Sequence, residues 1–250
     1  MKADRSSGLQ VSCPREQFRI VGCLMKILDQ EGRFCSLSHI DLLAKQYLFH
    51  QGDEPKYDFY ILQKGWILLK HLTEHGRQQV IRLVLPGDIL GFQPDTQGPA
   101  IHSAIALQDS TVCCVSDLQR LCNQHPELAL ELAKSEACEA ILSEFYMVNI
   151  AHQDARGKIV FMLLEIYQRL KSRGLIDSFT FPFPLKQEDI AETLGLTTVH
   201  VNRTLHKLRQ ENLLVLHKHE VTILDYDRLN ALVDQEMMSL RGCGVEMGYG

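Results

Sequence analysis

The 250-residue sequence contains no Cys-x-x-Cys pair and no apolar run approaching the roughly 18 residues of a membrane span, and Met1 to Gln10 lacks the apolar stretch of a signal peptide. These absences remove the strongest zinc signatures and predict a cytoplasmic protein with no membrane partner. Neither a Gly-x-Ser-x-Gly elbow nor a phosphate-cradling Gly-Lys loop occurs, so an enzyme built on either motif is not expected. No excess of positive charge exists either. The net charge is −5, and any argument for a nucleic-acid partner must rest on local clustering. With thiols kept reduced in that compartment, the eight cysteines read as free, metal-bound or redox-active rather than as a disulfide framework.

What is present begins with two short amphipathic helices between Leu185 and Arg209. In the first, Leu185, Ile190, Ala191 and Leu194 recur at helical spacing, with Gln187, Glu188, Asp189 and Glu192 on the other face. Gly195 follows, where a tight interhelical turn needs positive φ, and Thr197 stands as the N-cap of the second helix. Val199, Val201, Leu205 and Leu208 carry that helix toward Glu211, with Val201 and Leu205 expected inside. Thr198, His200, Asn202, Arg203, His206 and Lys207 are then left outward, a donor-rich set suited to base edges and phosphates. From residue 197 to 219 four cations, Arg203, Lys207, Arg209 and Lys218, stand against Glu211 alone, and Leu213 to Asp225 alternates like a small β-hairpin. Double-stranded DNA is the expected partner, and a helical hairpin that merely packs is the plainer rival.

Upstream, Gly65, Gly76, Gly87 and Gly98 fall 11 residues apart. Short strands are expected between these turns, over Tyr57 to Gln63, Trp66 to Leu72, Gln79 to Leu85, Ala100 to Leu107 and Thr111 to Ser116, as in a sandwich or barrel. From Pro126 to Ala151 a long helix without Gly carries Leu128, Leu132, Ala137, Ile141, Phe145 and Val148 as one apolar stripe. Leu130, Cys138, Leu142 and Tyr146 widen the apolar surface, so a second partner, a copy of the chain, is expected. Arg156 to Lys171 reads as a further amphipathic helix, and Gly174 to Pro184 as a lead-in.

The segment around Val201-Asn202-Arg203-Thr204-Leu205 resembles the winged helix-turn-helix of the Crp/Fnr transcription regulators. The similarity extends upstream to about Leu42, through His-Gln-Gly-Asp at 50 to 53 and Pro-Gly-Asp at 86 to 88, and so covers most of the chain. The resemblance implies an α+β fold: an N-terminal β-roll of double-stranded jelly-roll type, a long dimerisation helix and a C-terminal winged helix-turn-helix. The expected divisions are an extension over 1–36, a sensor roll over 37–124, the dimerisation helix and hinge over 125–154, a DNA-binding domain over 155–236 and a tail over 237–250. It also implies a homodimer on a near-palindromic promoter site, contact with RNA polymerase, and a guanine contact from Arg203. Lys186 and Gln187 join Thr197, Thr198, His200, Asn202, Arg203, His206 and Lys207 as the expected DNA-binding set. Val199 stands where better-known members carry glutamate, which implies a different half-site.

Nucleotide-binding members hold a cyclic phosphate with arginine, Ser or Thr, and alanine, and the ribose with glutamate. Here the comparable residues are His102, Ser103 and Ala104, with Gln93 near the glutamate's place. Losing both charged anchors argues against cyclic AMP. Arg77 or Arg82 could serve another nucleotide, although lone strand arginines are usually solvated. Cys113 matches the place of one iron–sulfur ligand in oxygen-sensing members, and Cys13, Cys23 and Cys35 precede the roll at wider spacing than in those sensors. Three readings stay open for these four thiols: a cluster, thiol redox sensing, or inert core cysteines, Cys23 sharing a helical face with Ile20, Leu24 and Ile27. A cupin-like metalloenzyme using His50, His71, His75 and His102, or a dimeric adaptor without DNA binding, are the rivals from other classes. The first lacks a closely spaced ligand set, and the second leaves Asn202 and Arg203 without a role. The expectation is a regulator, not an enzyme.

Overall fold

The computed structural model describes Leu24, Ile27 and residues 38–93 and 98–233. Cys13, Cys23 and Cys35, with the rest of the expected 1–36 extension apart from Leu24 and Ile27, and the tail lie outside the described residues. The expected α+β architecture is the one observed, in the order roll, long helix, helical head.

The roll consists of two four-stranded antiparallel sheets. One is ordered β1-β8-β3-β6, from Ser38–Leu42 (β1), Phe59–Lys64 (β3), Ile89–Leu90 (β6) and Ser110–Val115 (β8). The other is ordered β2-β7-β4-β5, from Tyr47–Phe49 (β2), Ile67–Leu72 (β4), Gln78–Val84 (β5) and Ser103–Ala106 (β7). All five strands expected from the turn spacing are present with ends shifted by a few residues. The β3–β4 turn shows why glycine marks it. Gly65 has φ +95°, and a Cβ there would lie 2.1 Å from the Ser110 hydroxyl and 2.6 Å from its Cα. Leu42, Leu62, Ile67, Val84 and Val112 fill the space between the sheets.

Leu118–Gln124 (α1), a short helix not foreseen in the sequence, leads into Pro126–His152 (α2), which starts with proline at a position where a missing N–H costs nothing. The single stripe expected on α2 is instead divided. Leu128, Leu132, Leu142 and Asn149 face the rest of the chain, whereas Ala137, Ile141 and Val148 face outward. Leu24 and Ile27 pack beside Leu128 and Leu132, together with Cys113 and Leu121.

Ala155–Ser172 (α3) is capped by Asp154, whose carboxylate accepts the Gly157 N–H at 2.8 Å. The amphipathic helix expected here is corrected: from Ile159 to Leu170 it is buried on every side. The roll residues Trp66, Leu68, Val80, Leu83 and Leu85 cover one face of α3, the first helix of the head, and the rest of the head covers another. A helix enclosed in this way must pair any charge it carries. Arg169, 7 % exposed, donates to the Asp88 carboxylate at 2.9 Å and to the Leu83 carbonyl at 3.2 Å, and its Nε is paired with Glu165. Arg173 reaches the other Asp88 oxygen at 2.5 Å and the Pro86 carbonyl at 2.8 Å. Asp88 also accepts the Leu85 N–H at 2.7 Å, and Tyr146 of α2 donates to Glu165 at 3.1 Å. One carboxylate of the roll thus bridges two arginines of the head.

The head continues with Gln187–Leu194 (α4), Thr198–Gln210 (α5), the hairpin Leu214–His217 (β10) and Glu220–Ile223 (β11), and Tyr226–Asn230 (α6). The lead-in before α4 proves to hold a third wing strand, Thr180–Pro182 (β9), paired with β11. Pro182 is tolerated because β9 is an edge. Among the described residues, no helix is long and apolar enough to cross a membrane.

Removing the bridge should destabilise the whole fold. Asp88→Ala leaves Arg173 and Arg169 without their shared anion, and urea unfolding should report a loss of about 3–5 kcal/mol; a loss within about 0.5 kcal/mol would contradict the bridge. Burial alone would raise the Asp88 pKa, but Arg173 and then Arg169 outweigh it and hold the carboxyl below its ordinary range. The stabilisation is therefore complete above about pH 5 and fades as pH falls below the unfolded value of about 3.9 and through the lower folded one. In Asp88→Asn the acid limb of the stability curve should flatten.

Candidate nucleic-acid interface

The surface expected to meet DNA is built on the α4–α5 turn. The Asp189 carboxylate accepts the Lys186 N–H at 3.0 Å and so starts α4 after Leu185, not at it. Asp189 and Glu192 do not lie on a solvent face as the helical pattern suggested. They turn toward the roll, where Lys70 of β4 lies 3.5 Å from Asp189 and 3.1 Å from Glu192, and Gln79 donates to the Glu192 carbonyl. Gly195 ends α4 at φ 63°, ψ 38°, the left-handed region, and the chain reverses into Thr197. The Thr197 hydroxyl accepts the His200 N–H at 3.2 Å, the expected N-cap.

Three and a half turns of α5 then divide cleanly. Val201, Leu205 and Leu208 are buried at 2 % exposure or less, with Thr204 beside them. Thr198, His200, Asn202, Arg203, His206 and Lys207 are all exposed, as are Thr197 and Lys186, and Gln187 is half-buried. Asn202 donates to Gln187 at 3.1 Å, tying the two helices at their outer edge. Arg156 engages Glu211 through both guanidinium nitrogens, at 3.1 and 2.5 Å, which neutralises the only anion of this stretch. Arg203 makes no ion pair with any described residue, so its planar fork is available to a ligand.

Periodicity missed one residue of this face. Val199, grouped with the apolar positions that carry the helix, is 73 % exposed and stands among the polar side chains. Its place one residue after Thr198, two before the buried Val201, is the signal that could have moved it outward.

The candidate sensor residues lie elsewhere. Cys113 is buried in β8, paired across the sheet with Ile61 and His39, amid Phe59, Ile61 and Val115. Cys114 faces the opposite interior, where burial pushes its thiol pKa up. Among the described residues no three His, Cys, Asp or Glu side chains are grouped as a metal site. Arg77 is exposed, but Arg82 departs from the solvated arginine expected on a strand: it lies 3.0 Å from Glu139 of α2 and donates to the Ile89 carbonyl. His102 stands edge-on to His71, and Gln93 donates to the Gly98 carbonyl at 2.7 Å.

Comparison with known proteins agrees with this geometry. Residues 40–125 match the cyclic nucleotide-binding domain and residues 157–232 the Crp-like helix-turn-helix domain. The transcriptional activatory protein AadR of Rhodopseudomonas palustris is 31% identical over 196 residues, 78% of this chain and 80% of that protein. The nitrogen fixation regulation protein FixK of Bradyrhizobium diazoefficiens is 31% identical over 177 residues, 70% of this chain and 73% of its own length. Among solved structures, FixK2 from Bradyrhizobium japonicum shares the fold, with a TM-score of 0.71 at 23% identity over 79% of this chain and 98% of that one. A β-roll, a long helix and a helix-turn-helix with an exposed, donor-rich second helix, together with these relatives, place the chain in the Crp/Fnr family of DNA-binding transcription regulators.

Proposed function

We propose that the protein acts as a homodimer on a near-palindromic promoter site in the cytoplasm, reading each half-site with the outward face of α5. The observation that carries this reading is the free guanidinium of Arg203 beside Asn202 on a face whose opposite side is fully buried. Arg203 is assigned to the N7 and O6 edge of a guanine, and Val199 to a thymine methyl. Thr197, Thr198, His200, Asn202, His206 and Lys207, with Lys186 and Gln187 from the start of α4, supply the remaining base and phosphate contacts. Residues 37–124 serve as the sensor, 125–154 as the dimerisation segment and 155–236 as the DNA-binding domain. RNA polymerase is the proposed partner of the bound dimer, a reading supported by the activator AadR among the relatives.

The dimer rests on the outward side of α2. Leu130, Ala137, Ile141 and Val148 follow one another at seven, four and seven residues, and Leu130, Ile141, Met147 and Val148 are between 37 and 63 % exposed. That is the spacing of a two-stranded helical seam, and 27 residues give it a length of about 40 Å. A twofold axis along it would set two α5 helices on successive major grooves, about 34–36 Å apart.

The redox reading of the sequence keeps only Cys113 among the described residues, and that thiol is enclosed by apolar side chains. The roll's contact with α2, where Arg82, Glu136 and Glu139 meet, is a second proposed place for a signal to act.

In an anisotropy titration on the tightest-binding duplex, Arg203→Ala should weaken binding by about 1–3 kcal/mol and relax preference at one base pair of each half-site. Unchanged affinity and unchanged preference would refute the assignment. Sedimentation should find a dimer at micromolar concentration, and Ile141→Glu should convert it to a folded monomer with weakened DNA binding. A wild-type monomer would refute the seam.

A further inference from the structure

Between the roll and α2 lies a cavity of about 600 Å³. Its wall is aromatic on one side. Phe49 and Tyr60 stack with ring centroids 5.7 Å apart, and Tyr57 meets Tyr60 edge-on at 5.5 Å. Gly91, at φ +78°, keeps this wall open, because a Cβ there would come within 3.1 Å of the Tyr60 ring. Burial pushes the Tyr60 hydroxyl up to about 12, so the aromatic wall stays uncharged.

The opposite side is polar and acidic. Glu136 and Glu139 project from α2 three residues apart, a spacing that sets two carboxylates side by side. Glu139 lies 3.0 Å from Arg82, whereas Glu136 makes no ion pair with a described residue, and burial pushes its carboxyl above the ordinary range. At the rim Asp53 and Glu54 outnumber Lys56.

These residues do not fit the cyclic nucleotide that the domain's family name implies. A cyclic phosphate needs a fixed, available cation. Among the described lining residues Arg82 is the sole guanidinium, and it is already held by Glu139 and the Ile89 carbonyl. His102 is held toward its neutral form by burial, then by His71 and Arg82. An anion would meet four carboxylates against two cations.

We propose that the cavity takes a cationic amphiphile, an aromatic or branched apolar body on Phe49, Tyr57 and Tyr60 carrying a protonated amine between Glu136 and Glu139. An ammonium there compensates Glu136, which has no ion-pair partner among the described residues, and shares Glu139 with Arg82, while the apolar body covers the aromatic wall. The inference rests on the roll being the sensor of a DNA-binding regulator. It also gives that sensor an output, because Arg82, whose partner Glu139 would be drawn to the ligand, lies in the electrostatic field of Asp88.

Calorimetric titration of the full-length protein, without DNA, tests this with three probes on one body: 3-(2-naphthyl)propylamine, 3-(2-naphthyl)propan-1-ol and 3-(2-naphthyl)propanoate, with cyclic AMP as a fourth. The amine should bind tightest, at least about tenfold tighter than the propanoate, with the alcohol between and no saturable binding of cyclic AMP. Glu136→Gln and Glu139→Gln should each weaken the amine about fivefold or more, and Glu139→Gln, which frees Arg82, should strengthen the propanoate. Any other order of the three probes, no saturable amine binding, cyclic AMP binding as tight as the amine, or the same order and affinities in both variants overturns the proposal. Because no DNA is present, that failure would leave the reading of α5 intact, and loss of the α5 reading would leave these affinities unaltered.

Discussion

The Asp88 carboxylate is the point on which the arrangement of roll and head turns. It lies in the roll, is 3 % exposed, and binds Arg169 and Arg173 of the head at 2.9 and 2.5 Å. A charge so enclosed is tolerable only with both partners in place, so the bridge specifies how roll and head sit together more than it adds net stability. Around it the apolar residues of α3 join Trp66, Leu68 and Leu85 of the roll to Ile190, Val201 and Leu205 of the helix-turn-helix in one continuous core. The Lys70 contacts to Asp189 and Glu192 reinforce the same junction from the surface. Because α5 packs its apolar side into this core, its polar side has no direction to face but outward.

That logic explains which parts of the molecule were legible in the sequence. The interface helix was, since Val201, Leu205 and Leu208 repeat at helical spacing and the polar residues between them had one side left. The roll was legible through its turns, where Gly65, Gly76 and Gly87 adopt positive φ that other residues resist. Helix α3 was not. Arg169, Glu165 and Gln168 look like a solvent face in a linear pattern, and only the partners brought by the fold, Asp88 and Tyr146 among them, make their burial possible. The stripe on α2 misled for a related reason: one helix serves two surfaces, so residues belonging to each were read as a single face. Asp189 was assigned to solvent because a cap's hydrogen bond and a distant lysine leave no periodic trace.

The same limits apply to the roll, the proposed sensor. Substituting His102 and Gln93 for charged anchors was readable and argued against cyclic AMP, but the carboxylates that give the cavity its character come from α2, more than thirty residues farther along. The family resemblance grouped Cys13, Cys23, Cys35 and Cys113 as candidate sensing chemistry. Spatial proximity groups Arg82, Glu136 and Glu139, and the charge of Arg82 also acts on Asp88.

The central claim, that two copies of α5 read a twofold-related sequence, is tested most directly by selecting bound duplexes from a random pool with the full-length protein. The account predicts an enriched pair of inverted half-sites whose centres lie about 10 base pairs apart, each with one position fixed as guanine. Recovery of an unrepeated sequence, or of no enriched sequence at all, would contradict it.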